Sequence, residues 1–111
     1  METPHHKHIT WDEFWNSEKD NPNGQLIFKY LGKTYIAEHD RNKWYIAEFN
    51  DETGEYINFL VEAMQKSFDT AKKYEDHHWQ EYVNKYLTVL TAPVFDGKSF
   101  KDIIQDVELE D

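Results

Sequence analysis

The sequence predicts a small α+β domain in which helices pack on the aromatic face of a three-stranded antiparallel sheet. Three observations predict this fold. A helix-capping pattern stands near the N-terminus, three segments of strand character follow with short turns between them, and helical periodicity dominates the second half. The chain has 111 residues, which fits one domain with one modest hydrophobic core.

The first helix is predicted to begin after Thr10. Thr10 and Glu13 have the spacing of a capping box, in which each side chain accepts a hydrogen bond from the other residue's backbone N–H. Ile9 and Phe14 occupy the two apolar positions that brace such a helix start. The helix is expected to end before the turn sequence Asn-Pro-Asn-Gly at 21–24.

Three strands are predicted at Gln25–Leu31, Thr34–His39 and Lys43–Phe49, where β-branched and aromatic residues are frequent. Gly32-Lys33 fits a two-residue hairpin turn, and residues 40–42 fit a three-residue loop. The three strands are therefore expected to form a meander.

The tetrapeptide Tyr-Ile-Ala-Glu occurs twice, beginning at Tyr35 and again at Tyr45. A three-residue loop between the copies places Tyr35 opposite Ala47 and Tyr45 opposite Ala37. Each large side chain then meets a small one across the strands. The repeat is interpreted as a self-complementary ladder and not as a functional repeat.

Alternation along the strands assigns the side chains to two faces. The core face is expected to be aromatic, with His39 and Lys43 at its rim. Its other members are Leu26, Phe28, Tyr30, Tyr35, Ala37, Tyr45, Ala47 and Phe49. The opposite face carries an apolar stripe beside several carboxylates. The stripe consists of Ile27, Ile36, Trp44 and Ile46. Such a stripe is either covered by another element or used for binding, for example in a homodimer.

After Gly54 the apolar residues recur with helical spacing. One apolar side contains Ile57, Leu60, Val61, Met64, Phe68 and Ala71, and a second contains Trp79, Tyr82, Val83, Tyr86 and Leu90. Whether 55–91 forms one helix or two is left open. Pro93 ends this region, and Ser99 begins a further short helix.

The chain is predicted to divide into three parts. A flexible, histidine-containing N-terminus covers 1–9, a single α+β domain covers 10–105, and an acidic, frayed tail covers 106–111.

The composition is acidic, with 22 Asp and Glu against 12 Lys and Arg and a net charge of −10. Direct binding to nucleic acid or to an anionic membrane is disfavoured, because both require basic residues. A basic protein partner is favoured, although net charge also serves solubility alone. The absence of cysteine, of a signal-peptide pattern and of a long apolar run leads us to expect a cytoplasmic protein.

Catalysis is not predicted, and neither a cofactor nor a metal is expected. Nucleophile motifs and phosphate-binding glycine loops are absent from the sequence. Glu38 and Glu48 are predicted to share a sheet face, but no pocket accompanies this carboxylate pair. Glu75 and His78 have a metal-ligand spacing that di-iron bundles need twice. His5, His6 and His8 form a His-rich tract at the N-terminus.

The leading hypothesis is a non-enzymatic acidic protein that inhibits or sequesters a basic partner, which would itself be a nucleic-acid-binding protein. One form is a nucleic-acid mimic of the phage counter-defence type, either anti-CRISPR or anti-restriction. Another is an immunity protein against a basic toxin. An alternative of a different class is a small-molecule or metal-binding domain with a cleft lined by tyrosines and His39.

All but one of the predicted partner-binding residues lie in 44–65, which contains carboxylates and aromatic residues but no Lys or Arg. They are Glu38, Trp44, Glu48, Asp51, Glu52, Glu55, Tyr56 and Glu62.

Overall fold

The computed structural model describes residues 6–7, 9–19, 24–40, 42–64 and 78–110. Its strands are β1 (His6–Lys7), β2 (Gln25–Tyr30), β3 (Lys33–Asp40), β4 (Lys43–Asn50), β5 (Glu55–Met64) and β6 (Glu108–Glu110). Its helices are α1 (Trp11–Glu18), α2 (His78–Leu90) and α3 (Phe100–Ile103), the last followed by a 3₁₀ turn at Ile104–Asp106. The strands form one antiparallel sheet in the order β1-β6-β2-β3-β4-β5, with the two-residue β1 at one edge. The predicted α+β class is confirmed, and the predicted meander of β2, β3 and β4 forms the middle of a larger sheet.

The predicted capping box is present, and the helix predicted to begin at Ser99 starts with a second one. The Thr10 hydroxyl accepts from the Glu13 backbone N–H at 3.2 Å, and Glu13 Oε1 accepts from the Thr10 N–H at 3.0 Å. Ser99 and Asp102 exchange the equivalent pair of bonds at the start of α3. Local sequence therefore determines where these two helices begin.

The turn between β2 and β3 contains Leu31 and Gly32, one position earlier than predicted, and Tyr30 pairs with Lys33. Both turn residues have positive φ, at 50° and 81°, which is typical of the tight turns that match strand twist. The predicted register is thus wrong by two residues. Because side chains alternate with period two, the predicted faces of β2 and β3 are nevertheless correct.

The register between β3 and β4 differs from the prediction by one residue, with a larger effect. Asp40 pairs with Lys43, so two residues connect the strands where three were expected. The two copies of Tyr-Ile-Ala-Glu do pair with each other, but Tyr35 lies opposite Glu48 and Glu38 opposite Tyr45. In between, each isoleucine lies opposite an alanine. The predicted Tyr–Ala pairing is wrong.

A shift of one residue exchanges the two faces of β4. Trp44 and Ile46 join the main core, whereas Tyr45, Ala47 and Phe49, which were predicted to be core residues, lie on the opposite face. The helices therefore cover an aromatic face, but β4 contributes Trp44 and Ile46 to it and not the predicted residues.

The segment Glu55–Met64 is a ten-residue strand, not the predicted helix. Its apolar positions fit both periods, and the Asn50–Gly54 segment before it forms a tight reversal in which the Gly54 N–H donates to the Asn50 carbonyl oxygen at 2.8 Å. Pairing along the whole of β4 decides in favour of the strand. The region 55–91 is therefore not one helix. The predicted apolar positions Phe68 and Ala71 lie outside the described residues.

Two strands fall outside the predicted domain range of 10–105. Glu108–Glu110, expected to be frayed, forms β6 and pairs with β2 through Phe28 and Leu109, and with β1 on its other side. The buried Val107 and the half-buried Leu109 attach this acidic segment to the core. The expectation of a frayed tail is therefore wrong for 108–110.

The main core lies between one sheet face and the three helices. Its central contact is Trp44, which is 0% exposed, stacks on Tyr86 with ring centroids 4.0 Å apart, and donates from Nε1 to the Tyr82 carbonyl oxygen at 3.0 Å. Trp15 and Phe14 of α1 and Phe100 of α3 extend this aromatic cluster. Among the described helices, none has the length and apolar character that a membrane crossing requires.

Replacing Trp44 by Ala should lower the free energy of unfolding by about 3–5 kcal/mol, because it leaves a large cavity beneath α2. Leu31→Ala is the control, since Leu31 is 83% exposed and its replacement should change stability by no more than about 0.5 kcal/mol. Urea denaturation followed by circular dichroism measures both values. A loss below about 1 kcal/mol for Trp44→Ala would contradict the observed register of β4.

Candidate functional site

Two concave surfaces lie on opposite faces of the sheet. The first, named here the aromatic groove, has a volume of about 380 Å³ and lies on the face away from α1, α2 and α3. It is lined by Glu38, Asp40, Lys43, Tyr45, Tyr56 and Phe59. The second, named here the tyrosine cleft, has a volume of about 490 Å³ and opens on the helix-covered face. It is lined by Tyr30, Leu31, Lys33, Tyr35, Glu48, Asn58, Leu60, Val94, Phe95, Asp96 and Lys98.

The aromatic groove is organised around the Glu38 carboxylate. Its Oε1 atom accepts hydrogen bonds from the hydroxyls of Tyr45 and Tyr56, each at 2.5 Å, and its Oε2 atom accepts from Gln25 Nε2 at 2.9 Å. These donors come from β2, β4 and β5, so the antiparallel pairing of the strands brings them together. The carboxylate is held in one orientation with its charge facing the groove.

These hydrogen bonds also fix the charge of Glu38. Partial burial raises the pKa of the carboxyl, but the hydrogen bonds from Tyr45, Tyr56 and Gln25 outweigh it and leave the pKa below its ordinary value. Conversely, burial and then the Glu38 carboxylate raise the pKa of the Tyr45 hydroxyl. Glu38 is thus an anion and Tyr45 a protonated donor at neutral pH.

Two aromatic rings border the groove and remain accessible to solvent. Tyr56 is 41% exposed and Phe59 is 46% exposed, and their rings are nearly parallel at 7° with centroids 5.8 Å apart. Lys43 Nζ lies 5.6 Å from the ring centroids of both Tyr45 and Phe59, and 2.7 Å from Glu62 Oε1. The groove therefore holds a cation of the chain itself between aromatic rings and a carboxylate.

The turn between β4 and β5 adds exposed carboxylates beyond Tyr56. Asp51, Glu52 and Glu55 are all exposed. The Asn50 side-chain oxygen accepts from the backbone N–H groups of Glu52 at 2.9 Å and Thr53 at 3.3 Å, which fixes the turn locally.

The eight residues predicted to bind a partner do not share one surface. Glu38 and Tyr56 line the aromatic groove, and Glu62 borders it through its ion pair with Lys43. The turn residues Asp51, Glu52 and Glu55 continue from the end of the same hairpin. Glu48 lines the tyrosine cleft on the other face. Trp44 is completely buried, so its predicted role as a surface anchor is wrong.

The predicted stripe of Ile27, Ile36, Trp44 and Ile46 is divided by the sheet. Trp44 and Ile46 belong to the helix-covered core, while Ile27 and Ile36 lie on the opposite face. Ile36 itself is fully buried. The one-residue change in the β4 register removes this stripe as a candidate homodimer interface.

Phe59 and Tyr45 are groove residues that the sequence interpretation missed. Phe59 lies in the segment predicted to be a helix, and the predicted register places Tyr45 on the core face. The run of aromatic and apolar residues in 55–64, directly after a turn ending in Gly54, is a pattern that favours a second strand of a hairpin. That pattern could have revealed Phe59.

The other candidate centres have different outcomes. Glu38 and Glu48 lie on opposite faces, so the predicted carboxylate pair does not exist. His39 lies near the rings of Trp44 and Tyr82 and does not line either concave surface. The described residues contain no group of three His, Asp or Glu side chains suited to a metal. The side chains of His5, His6, His8, Glu75 and His78 lie outside the described set.

Comparison with known proteins finds no matching family model, no matching curated protein and no matching solved structure.

Replacing Glu38 by Gln should destabilise the protein in a pH-dependent way. At about pH 7 the loss should be on the order of 1 kcal/mol, because charge-assisted hydrogen bonds become neutral ones. The folded-state pKa of Glu38 lies below the ordinary 4.5, so its contribution is complete above about pH 4.5 and is lost as pH falls through the folded value. The stability difference between wild type and variant should therefore shrink below about pH 4.5.

Urea denaturation at a series of pH values measures this difference. Glu52→Gln is the control, since Glu52 is exposed on the turn and its side chain should contribute little at any pH. A Glu38→Gln deficit that is equal at about pH 7 and about pH 3 would contradict a charged Glu38 in the groove.

Proposed function

We propose that the protein is a non-enzymatic binding protein that captures a basic partner protein and thereby inhibits or sequesters it. The binding surface is the aromatic groove together with the acidic turn of Asp51, Glu52 and Glu55. The observation that carries this proposal is the pair of exposed rings, Tyr56 and Phe59, beside an oriented and ionised Glu38.

The charge of the chain supports a basic partner. The net charge of −10 produces a long-range attraction for cationic surfaces, which accelerates encounter. Among the described residues at the groove, the carboxylates of Glu38, Asp40 and Glu62 outnumber the one ammonium group, that of Lys43, and favour a negative local potential. A partner that presents Lys or Arg side chains to the groove would associate faster and would also bind more tightly once docked.

The exposed rings supply the anchors that charge alone does not. Interface energy is concentrated in a few well-packed aromatic and arginine residues, whereas exposed ion pairs contribute little. Tyr56 and Phe59 offer ring faces to a guanidinium or ammonium group. The position of Lys43, 5.6 Å from two ring centroids, supports a groove in which a cation is sterically and electrostatically accommodated.

The position of β5 also suits a protein partner. β5 is the last strand in the sheet order, so along its outer edge no described strand continues the ladder. Ile57 in this strand is 58% exposed. An apolar edge strand of this kind is a recurrent place for another chain to dock.

Two identities of the partner follow from the same surface. A nucleic-acid-binding protein would be inhibited by mimicry, with the exposed carboxylates of this hairpin taking the place of phosphates in its basic groove. A basic toxin would make the chain an immunity protein. In both forms the partner's basic groove is occupied and its activity lost.

Affinity capture from a nuclease-treated bacterial lysate tests this function. Wild type should retain a basic protein at moderate salt, and Phe59→Ser should reduce its recovery at least about tenfold, because an anchor is worth roughly 1.4 kcal/mol or more. Leu31→Ser is the matched control, since Leu31 is also exposed but lies outside the groove, and it should retain the partner.

A second pair of variants separates a specific acidic turn from bulk charge. Glu52→Lys with Glu55→Lys should abolish capture, whereas Glu81→Lys with Asp106→Lys changes the net charge equally and should leave capture intact. Circular dichroism verifies that all variants fold. If both pairs of variants lost capture equally, the attraction would be a non-specific effect of net charge. A wild type that retains no basic protein would refute the proposed function.

A further inference from the structure

The tyrosine cleft lies on the other face of the sheet from the aromatic groove. Its sheet wall carries Tyr30, Tyr35, Glu48 and Asn58, and its opposite wall is the segment Val94–Lys98 that follows α2. Its volume of about 490 Å³ falls in the range of small-molecule sites. The aromatic groove and the cleft share no lining residue.

Backbone hydrogen bonds within the segment from Phe95 to Lys98 fix the conformation of this wall. The Phe95 N–H donates to the Lys98 carbonyl oxygen at 2.8 Å, and the Lys98 N–H donates to the Phe95 carbonyl oxygen at 3.1 Å. Asp96 and Gly97 between them have φ values of 56° and 84°, as a two-residue tight turn requires. The wall is therefore positioned before any ligand arrives, which lowers the cost of binding.

The floor of the cleft is aromatic. Phe95 meets Tyr35 edge-on with ring centroids 5.1 Å apart at 88°, and meets Tyr30 at 5.8 Å and 79°. Leu60 and Val94 complete the apolar part of the lining. Such a surface favours a planar ring, which can find an edge or a face of several aromatic partners.

The rim carries the charges that select the ligand's polar group. Lys33 and Lys98 are exposed at the mouth, and within the described residues neither forms an ion pair. Glu48 and Asp96 occupy the same rim, so its net formal charge is zero and a ligand with several negative charges would be repelled. Burial, and then the nearby Glu48, raise the pKa of the Tyr35 hydroxyl, which therefore remains a hydrogen-bond donor.

We propose that the tyrosine cleft binds a small planar aromatic monocarboxylate. Its ring lies against Tyr30, Tyr35 and Phe95, and its carboxylate faces the ammonium groups of Lys33 and Lys98. A single carboxylate can face the two ammonium groups, whereas further negative charges on the ligand would be repelled by Glu48 and Asp96. The ring uses an aromatic floor that an aliphatic acid would not. Binding here is independent of the capture of a basic protein.

The test is a titration of the isotope-labelled full chain with 4-hydroxybenzoate, followed by amide chemical shifts. Saturable shifts should be confined to the cleft, at Leu31, Lys33, Asn58 and Asp96–Lys98. Cyclohexanecarboxylate, which has the charge without the aromatic ring, and benzamide, which has the ring without the charge, should each bind at least about tenfold more weakly, because each loses one of the two recognition elements.

Variants separate the cleft from general attraction to lysine. Lys33→Gln with Lys98→Gln should weaken 4-hydroxybenzoate at least about tenfold, since charge-assisted hydrogen bonds are lost. Lys29→Gln is the matched control, because Lys29 precedes Tyr30 in β2 and therefore lies on the opposite face, and it should change the affinity by less than about twofold. Absent saturation, shifts spread over the surface, or an affinity insensitive to Lys33 and Lys98 would each overturn the proposal.

Discussion

The pairing of β3 with β4 is the constraint on which the rest of the structure depends. It determines that Trp44 lies beneath α2 and that Tyr45 lies on the opposite face beside Glu38. A shift of one residue would exchange these positions and move Glu48 out of the tyrosine cleft. The core, the aromatic groove and the cleft are thus three consequences of one register. The buried Trp44 opposes a shift of one residue, because that shift would move the largest apolar side chain of the core to the opposite face.

The features that sequence could predict are those encoded over a few residues. Thr10 with Glu13, and Ser99 with Asp102, form their capping boxes from side chains three positions apart, and the structure contains both. The faces of β2 and β3 were predicted correctly although the pairing of these two strands was not. The predicted turn was one position late, but the resulting change in pairing was two residues, which preserves the alternation.

The features that sequence could not predict depend on distant partners. The segment 55–64 has apolar residues at spacings compatible with a helix, and its strand conformation is decided by pairing with β4. The carboxylates of the acidic turn can be recognised from composition alone. The role of Phe59 in the groove depends on this strand pairing and cannot be. The cleft combines Tyr30 and Tyr35 with Phe95, about sixty residues later, and no local pattern records that contact. Glu108–Glu110 is a strand because it pairs with the edge of β2 and because the preceding residue, Val107, is buried in the core.

The self-pairing tetrapeptide has a consequence for assembly. Tyr-Ile-Ala-Glu is its own antiparallel complement, with Tyr matched to Glu and Ile to Ala. The same matches are available between two separate chains, so side-chain chemistry does not distinguish pairing within a molecule from pairing between molecules. The distinction comes from the short connection, because closing two residues costs little chain entropy compared with bringing two chains together. The short connection therefore favours pairing within one chain, and the side chains of the paired strands do not.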